Sequence, residues 1–120
     1  MDNLLESYKD FIDGLVEKRR TVKAKWVVGT GYPHTETNKE INNLLEQLTA
    51  EQKEILANML SEAKEEGIHD TLAYMNELFD TEGYGLTKDG ESLPYDAFES
   101  MHYDFVCRCE GDEWPEGEDE

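Results

Sequence analysis

Leu4, Leu5, Tyr8, Phe11, Ile12, Leu15 and Val16 recur three and four residues apart, a spacing that gathers them on one side of a helix. This stripe constrains the chain more than any other feature, because a helix with one apolar side must bury it against other elements. Asn3, with Glu6 three residues later, supplies a start signal of the capping-box kind. Lys18, Arg19 and Arg20 suit the far end, where the helix dipole favours cations. Gly14 costs about 1 kcal/mol relative to Ala inside a helix, and a close helix crossing there would offset that cost.

The helical spacing returns downstream. The mixed stretch "VKAKWVVGTGYPH" reads as a helix end or short strand, then an ordered loop. Thr37 with Glu40 announces a second helix carrying Ile41, Leu44, Leu45 and Leu48. Thr49 with Gln52 opens a third, with Ile55, Leu56, Met59, Leu60 and Ala63. Gly67 is its natural stop, and Asp70 then caps a fourth helix bearing Leu72, Met75, Leu78 and Phe79. The alternative is one long kinked helix running through Gly67. Asp89-Gly90 is a two-residue hairpin signal between poor strand formers. Pro94 suits the first turn of a fifth helix, with Tyr95, Phe98, Met101, Phe105 and Cys109 in register and Gly111 as its end.

These elements predict an all-α fold: an irregular bundle of four to five helices, with a minor β-hairpin near residues 85–93 and an acidic C-terminal tail. At 120 residues the chain has the size of one domain, read as residues 1–111 with a tail at 112–120. Aromatic residues make up 10% of the chain, which argues against wholesale disorder.

Charge narrows the function. There are 29 acids against 11 bases, a formal −18. Nucleic acid and anionic membranes are bound through clustered Lys and Arg, so neither is an expected partner. A protein with a basic surface is, because such a field steers its approach. Five of the eleven bases crowd between Lys18 and Lys25, a compact basic knot onto which the acidic tail could fold. The acidic, amphipathic start is unlike a signal peptide, no apolar run approaches the ~20 residues of a membrane span, and two cysteines make no disulfide framework. The expected location is the cytoplasm.

Candidate chemistry is sparse. On a helix, Cys107 and Cys109 point away from each other and cannot share a metal. His102, seven residues before Cys109, gives at best a two-ligand pair, short of the four ligands of a structural zinc site. His102 and Cys109 are therefore the weak metal candidates, and no cofactor is expected. From Asp80, Glu82, Gly85 and Glu91 fall at positions three, six and twelve of a calcium loop, but Tyr84 and Lys88 stand where oxygen ligands belong. "GTG" at 29–31 lacks the Lys-Ser/Thr of a phosphate loop and reads as a turn. Trp26, Tyr32, Tyr84 and Trp114 fall outside the helical patterns, where interface roles or core-end cover would use them.

The leading expectation is a non-enzymatic acidic protein-binding module. Glu110, Asp112, Glu113, Glu116 and Glu118 would supply charge to a basic partner, with Trp114 as an anchor. In size and charge the chain resembles small acidic bacterial or phage proteins, immunity proteins and nucleic-acid-mimicking inhibitors among them, without a shared motif. Two other readings stand beside it. One is a metal-binding protein or small metal-dependent enzyme using His102 with nearby carboxylates; the other is a homo-oligomer joined through the apolar face of the first helix.

Overall fold

In the computed structural model the described residues are 3–115. Leu4–Lys18 form α1 and Val22–Val28 form α2; a 3-10 turn at Glu36–Asn38 leads into α3, Lys39–Glu46. Ala50–Thr81 form α4, Thr87–Lys88 (β1) pairs antiparallel with Glu91–Ser92 (β2), and Met101–Cys109 form α5. The protein is an all-α bundle with one minor hairpin. Among the described residues no helix is long and apolar enough to cross a membrane.

The chain packs as two compact units, one of Met1–Lys18 with Gly67–Glu120 and one of Arg19–Glu66. The core of the first joins Tyr8 and Ile12 of α1, Leu72 of α4, Leu93 beyond the hairpin, and Met101 and Phe105 of α5. Tyr8, Ile12, Met101 and Phe105 have no exposed surface. Each fully buried side chain of this size contributes roughly 1.5–3 kcal/mol of apolar transfer. Leu4, Phe11, Leu15 and Val16 pack against the same core, so the stripe on α1 is covered within this unit.

The second unit has a smaller core: Val27 of α2, Leu45 of α3 and Ala57 of α4, with Ala24, Tyr32, Leu48, Leu56 and Leu60 against them. Asn42 closes its loop, accepting from the Tyr32 N–H at 2.9 Å and donating to the Tyr32 carbonyl at 3.1 Å. So few elements cover little area. Ile41, Leu44, Ile55 and Met59 lie between 38% and 58% exposed, although the spacing assigned them to packed faces.

Local start and stop signals decide several helix ends. The Asn3 side chain accepts the Glu6 N–H at 3.1 Å. Thr49 Oγ1 accepts the Gln52 N–H at 3.1 Å while Gln52 Oε1 accepts the Thr49 N–H at 2.9 Å, a reciprocal capping box. Asp89 and Gly90 both take positive φ, 53° and 84°, as the tightest hairpin turn requires. Gly111, at φ 90°, turns the chain after α5: its N–H donates to the Arg108 carbonyl and that of Asp112 to the Cys107 carbonyl. That pair of bonds is the Schellman pattern, which satisfies carbonyls left over at the helix end.

Other ends differ from expectation. Gly67 does not stop a helix: α4 runs through it, and a Cβ added there would meet nothing within 4 Å. Asp70 is accordingly in mid-helix. Gly14 is equally open, so no close crossing offsets its cost. Thr37 belongs to the 3-10 turn, and Asn38 takes the cap position of α3 without a side-chain capping bond, its amide donating instead to the Pro33 carbonyl at 2.9 Å. The stretch after α1 forms a helix of its own, α2, because Thr21 accepts the Lys23 N–H and caps it. The last helix starts at Met101 and not at Pro94. Ser100 Oγ accepts the Tyr103 N–H at 3.2 Å, and Asn76, from α4, accepts the Met101 N–H at 3.0 Å. Two first-turn donors are thereby satisfied, one locally and one across the fold. Tyr95 and Phe98 still pack on the core from the irregular segment before it.

Candidate partner-binding site

The turn at Gly111 sends residues 112–115 back along α5, and Trp114 closes over the larger core. Its indole N–H donates to Asp13 Oδ2 at 3.2 Å. Its ring lies 5.1 Å from Phe98 and meets Tyr8 edge-on at 6.1 Å. The Arg108 guanidinium stands 5.2 Å from the ring centre, within cation–π range. Arg108 also donates to both Asp13 oxygens, from Nε at 2.7 Å and from Nη2 at 3.3 Å, and from Nη1 to the Asp112 carbonyl at 2.8 Å. Asp13, one turn beyond Lys9 on the outer edge of α1, thus ties the helix to the returning segment.

Beneath this segment lies a cavity of about 200 Å³. Phe98, Tyr103, Cys107, Trp114 and Pro115 line it together with Arg108 and the acidic residues Glu99, Asp104, Asp112 and Glu113. Asp104 is 5% exposed, and Tyr8 donates to its Oδ2 at 2.6 Å inside the core. Burial pushes the Asp104 carboxyl above its usual range, with the Tyr8 hydrogen bond partly offsetting it. The Tyr8 phenol is itself raised, by burial first and by that hydrogen bond second. The Tyr103 phenol is raised chiefly by its hydrogen bond with the Cys107 thiol.

The residues singled out in the sequence fare unevenly. Asp112, Glu113 and Trp114 line the cavity; Glu110 is exposed at the C-cap of α5. Glu116 and Glu118 lie outside the described residues. Trp114 is half-buried and held by its own chain, with Arg108 and Asp13 as its charged neighbours. Sequence reasoning passed over Asp13 and Asp104 and read Phe98 only as an apolar position of the fifth helix. Asp13 and Asp104 are ordinary acids in an acidic chain, and what marks them is contact over 95 to 101 positions.

The metal candidates do not gather. His102 packs its ring edge-on against His69 at 5.4 Å, and its Nδ1 is buried without a hydrogen-bond partner among the described residues. His69 Nδ1 is 3.0 Å from Asp70 Oδ1. Cys109 packs on the core while Cys107 lines the cavity. Among the described residues no group of three or more His, Cys, Asp or Glu could hold a metal. The calcium-loop spacing is not realised as a loop: Asp80 lies in α4, accepting from Tyr95 at 2.6 Å and from Asn76 at 3.2 Å, and Glu91 lies in β2. The turn at Gly29–Gly31 carries backbone bonds to Lys25 and Trp26, and Trp26 meets Tyr32 edge-on at 5.1 Å.

Neither a curated protein nor a solved structure matches the chain. The model of DUF6547, a family of unknown function, matches residues 1–116, and the chain belongs to that family.

Proposed function

We propose that the protein is a non-enzymatic binding module that engages a basic protein surface through its acidic unit. The observation that carries this reading is how charge divides between the units. Met1–Lys18 with Gly67–Glu120 holds 21 acids and 4 bases, a net −17; Arg19–Glu66 holds 8 acids and 7 bases, a net −1. All but one unit of the formal charge is therefore concentrated on the unit that carries the aromatic cavity. Fields of this kind raise association rates with oppositely charged partners and suppress like-charged ones. Glu110, Asp112, Glu113, Glu116 and Glu118 supply charge, and Trp114 ties residues 112–115 to the core. Two cysteines make no disulfide framework, which suits a reducing compartment, and the proposed location is the cytoplasm.

Capture from native cell extract at low salt, eluted by a salt gradient, tests this. The expected result is a basic partner whose retention falls steeply with salt, and falls further when Glu110, Glu113, Glu116 and Glu118 are changed to Gln. Retention that ignores both salt and these changes would overturn the reading. The homo-oligomer reading would need the α1 stripe, whose Tyr8 and Ile12 are fully buried in the core.

A further inference from the structure

The cavity under the returning segment has a composition that the charge reading alone does not explain. Three aromatic side chains, Phe98, Tyr103 and Trp114, share one small space with carboxylates from Glu99, Asp104 and Glu113. Aromatic faces carry negative quadrupoles and attract cations, most strongly where water is displaced. The base in the lining, Arg108, is committed: Asp13 neutralises it through two hydrogen bonds, and it covers the Trp114 ring. Among the described residues that leaves Glu99 and Glu113 without an ion pair. Asp104 is built into the wall: it is 5% exposed and held by the Tyr8 hydroxyl and the Glu99 backbone, which leaves Glu99 and Glu113 as the acids open to a ligand.

Size sets the occupant. Sites for drug-sized molecules usually run from about 300 to 1,000 Å³. A cavity of about 200 Å³ suits one long side chain. Among cationic side chains, arginine couples an apolar stem to a planar group that stacks on aromatic rings and forks onto carboxylates.

We propose that this cavity receives a single arginine side chain presented by a basic protein partner, stacked on the exposed Tyr103 ring beside Trp114, whose own cation is Arg108, and Phe98, whose own cation is Lys9, and paired with Glu99 and Glu113. The assignment rests on the basic-partner reading above and adds to it a specific receptor. Charge alone would spread binding over the whole acidic unit; the cavity concentrates it at one point.

N-acetyl-arginine amide is the probe and its neutral isostere, N-acetyl-citrulline amide, the control. From the efficiency of small ligands, affinity for the isolated residue should be about millimolar. In ¹H–¹⁵N spectra of the full chain, the Trp114 indole resonance should move with arginine amide and saturate. Trp26, in the other unit, serves as the internal reference and should stay in place. Cys107 supplies a second readout, since it lines the cavity and a ligand there should slow its alkylation several-fold. Trypsin cuts after Arg108, so Cys107 and Cys109 are quantified on separate peptides. Citrulline amide should do neither. Glu99→Gln with Glu113→Gln, both exposed and outside the core, should weaken the arginine effect about tenfold or more.

Equal effects from citrulline, movement of both indoles together, or full retention in the double variant would each overturn the assignment. Salt-gradient capture with the same double variant separates the two readings. A basic partner retained unchanged, with no arginine effect, removes the cavity and leaves the charge reading. An arginine effect with no salt-sensitive partner does the reverse.

Discussion

Replacing Tyr8 with Phe removes one oxygen from the middle of the larger core, and the cost can be worked from its surroundings. Tyr8 is fully buried and its hydroxyl donates to Asp104 Oδ2 at 2.6 Å, joining α1 to α5. The ring remains in Phe, so apolar burial is kept and no large cavity opens. What is lost is a hydrogen bond to a buried carboxylate, a class worth about 1.5–3 kcal/mol. We expect Tyr8→Phe to cost about 2 kcal/mol, close to 8 °C in Tm for a chain of this length. Asp104→Asn keeps an acceptor for Tyr8 while removing the buried charge, and should stay within about 1 kcal/mol of wild type at neutral pH. Asp104→Leu strands the hydroxyl and should cost about 1–3 kcal/mol. Combining Tyr8→Phe with Asp104→Leu leaves no stranded hydroxyl, and the bond lost at the Glu99 N–H is already lost in the single Leu variant, so the double variant should cost less than the sum by at least about 1 kcal/mol. Urea unfolding by circular dichroism measures all four, with midpoints interpreted at a common slope. Additive costs, or a Tyr8→Phe loss under about 0.5 kcal/mol, would refute the claim that this pair is coupled in the core. The pair also gives a pH signature. Because burial raises the Asp104 pKa, the folded protein holds that proton more tightly than the unfolded chain. The stability penalty of the charged group is absent below the ordinary carboxylate value, grows as pH rises through the raised one, and is complete above it. Wild type should therefore gain on Asp104→Asn as pH falls through that window.

Three further outcomes follow from named contacts. Gly67→Ala should stabilise by about 0.5–1 kcal/mol, since the site is mid-helix with open space at Cβ; destabilisation in thermal melts would mean that α4 breaks there. Trp114→Ala should cost about 2–3 kcal/mol, below the 3–5 of a fully buried tryptophan because the ring is half-exposed; an unchanged Tm would show that residues 112–115 are no part of the fold. The Tyr95 phenol, pushed up to about 12 chiefly by its hydrogen bond to Asp80, should ionise well after an exposed phenol in an absorbance titration. Its support for the fold is full below the ordinary value near 10 and is lost as pH rises through about 12. Asp80→Asn should bring that ionisation down toward the ordinary value, and an unmoved titration would deny the bond.

What the sequence determined by itself is the chemistry that acts within one turn of chain. The Asn3 cap, the Thr49–Gln52 box, the Asp89-Gly90 turn and the Gly111 stop all join residues at most a few positions apart, so their partners are visible in the string. The α1 stripe was visible for the same reason, because helical spacing is local. Where local signals competed, tertiary contacts decided. Gly67 can end a helix or continue one; the apolar residues on its two sides, Leu56 and Leu60 in one core and Leu72 in the other, are served by a continuous α4. Pro94 can open a helix, but Ser100 and the side chain of Asn76 satisfy the first N–H groups of one that starts at Met101. The candidate site is the extreme case. Asp13, Arg108 and Trp114 meet across 95 and 101 positions, and Tyr8 finds Asp104 across 96. No periodicity encodes such pairs, because their energy exists only once α1 and α5 are packed together. The sequence marked Trp114 as unusual; the packed core made it the roof of a cavity.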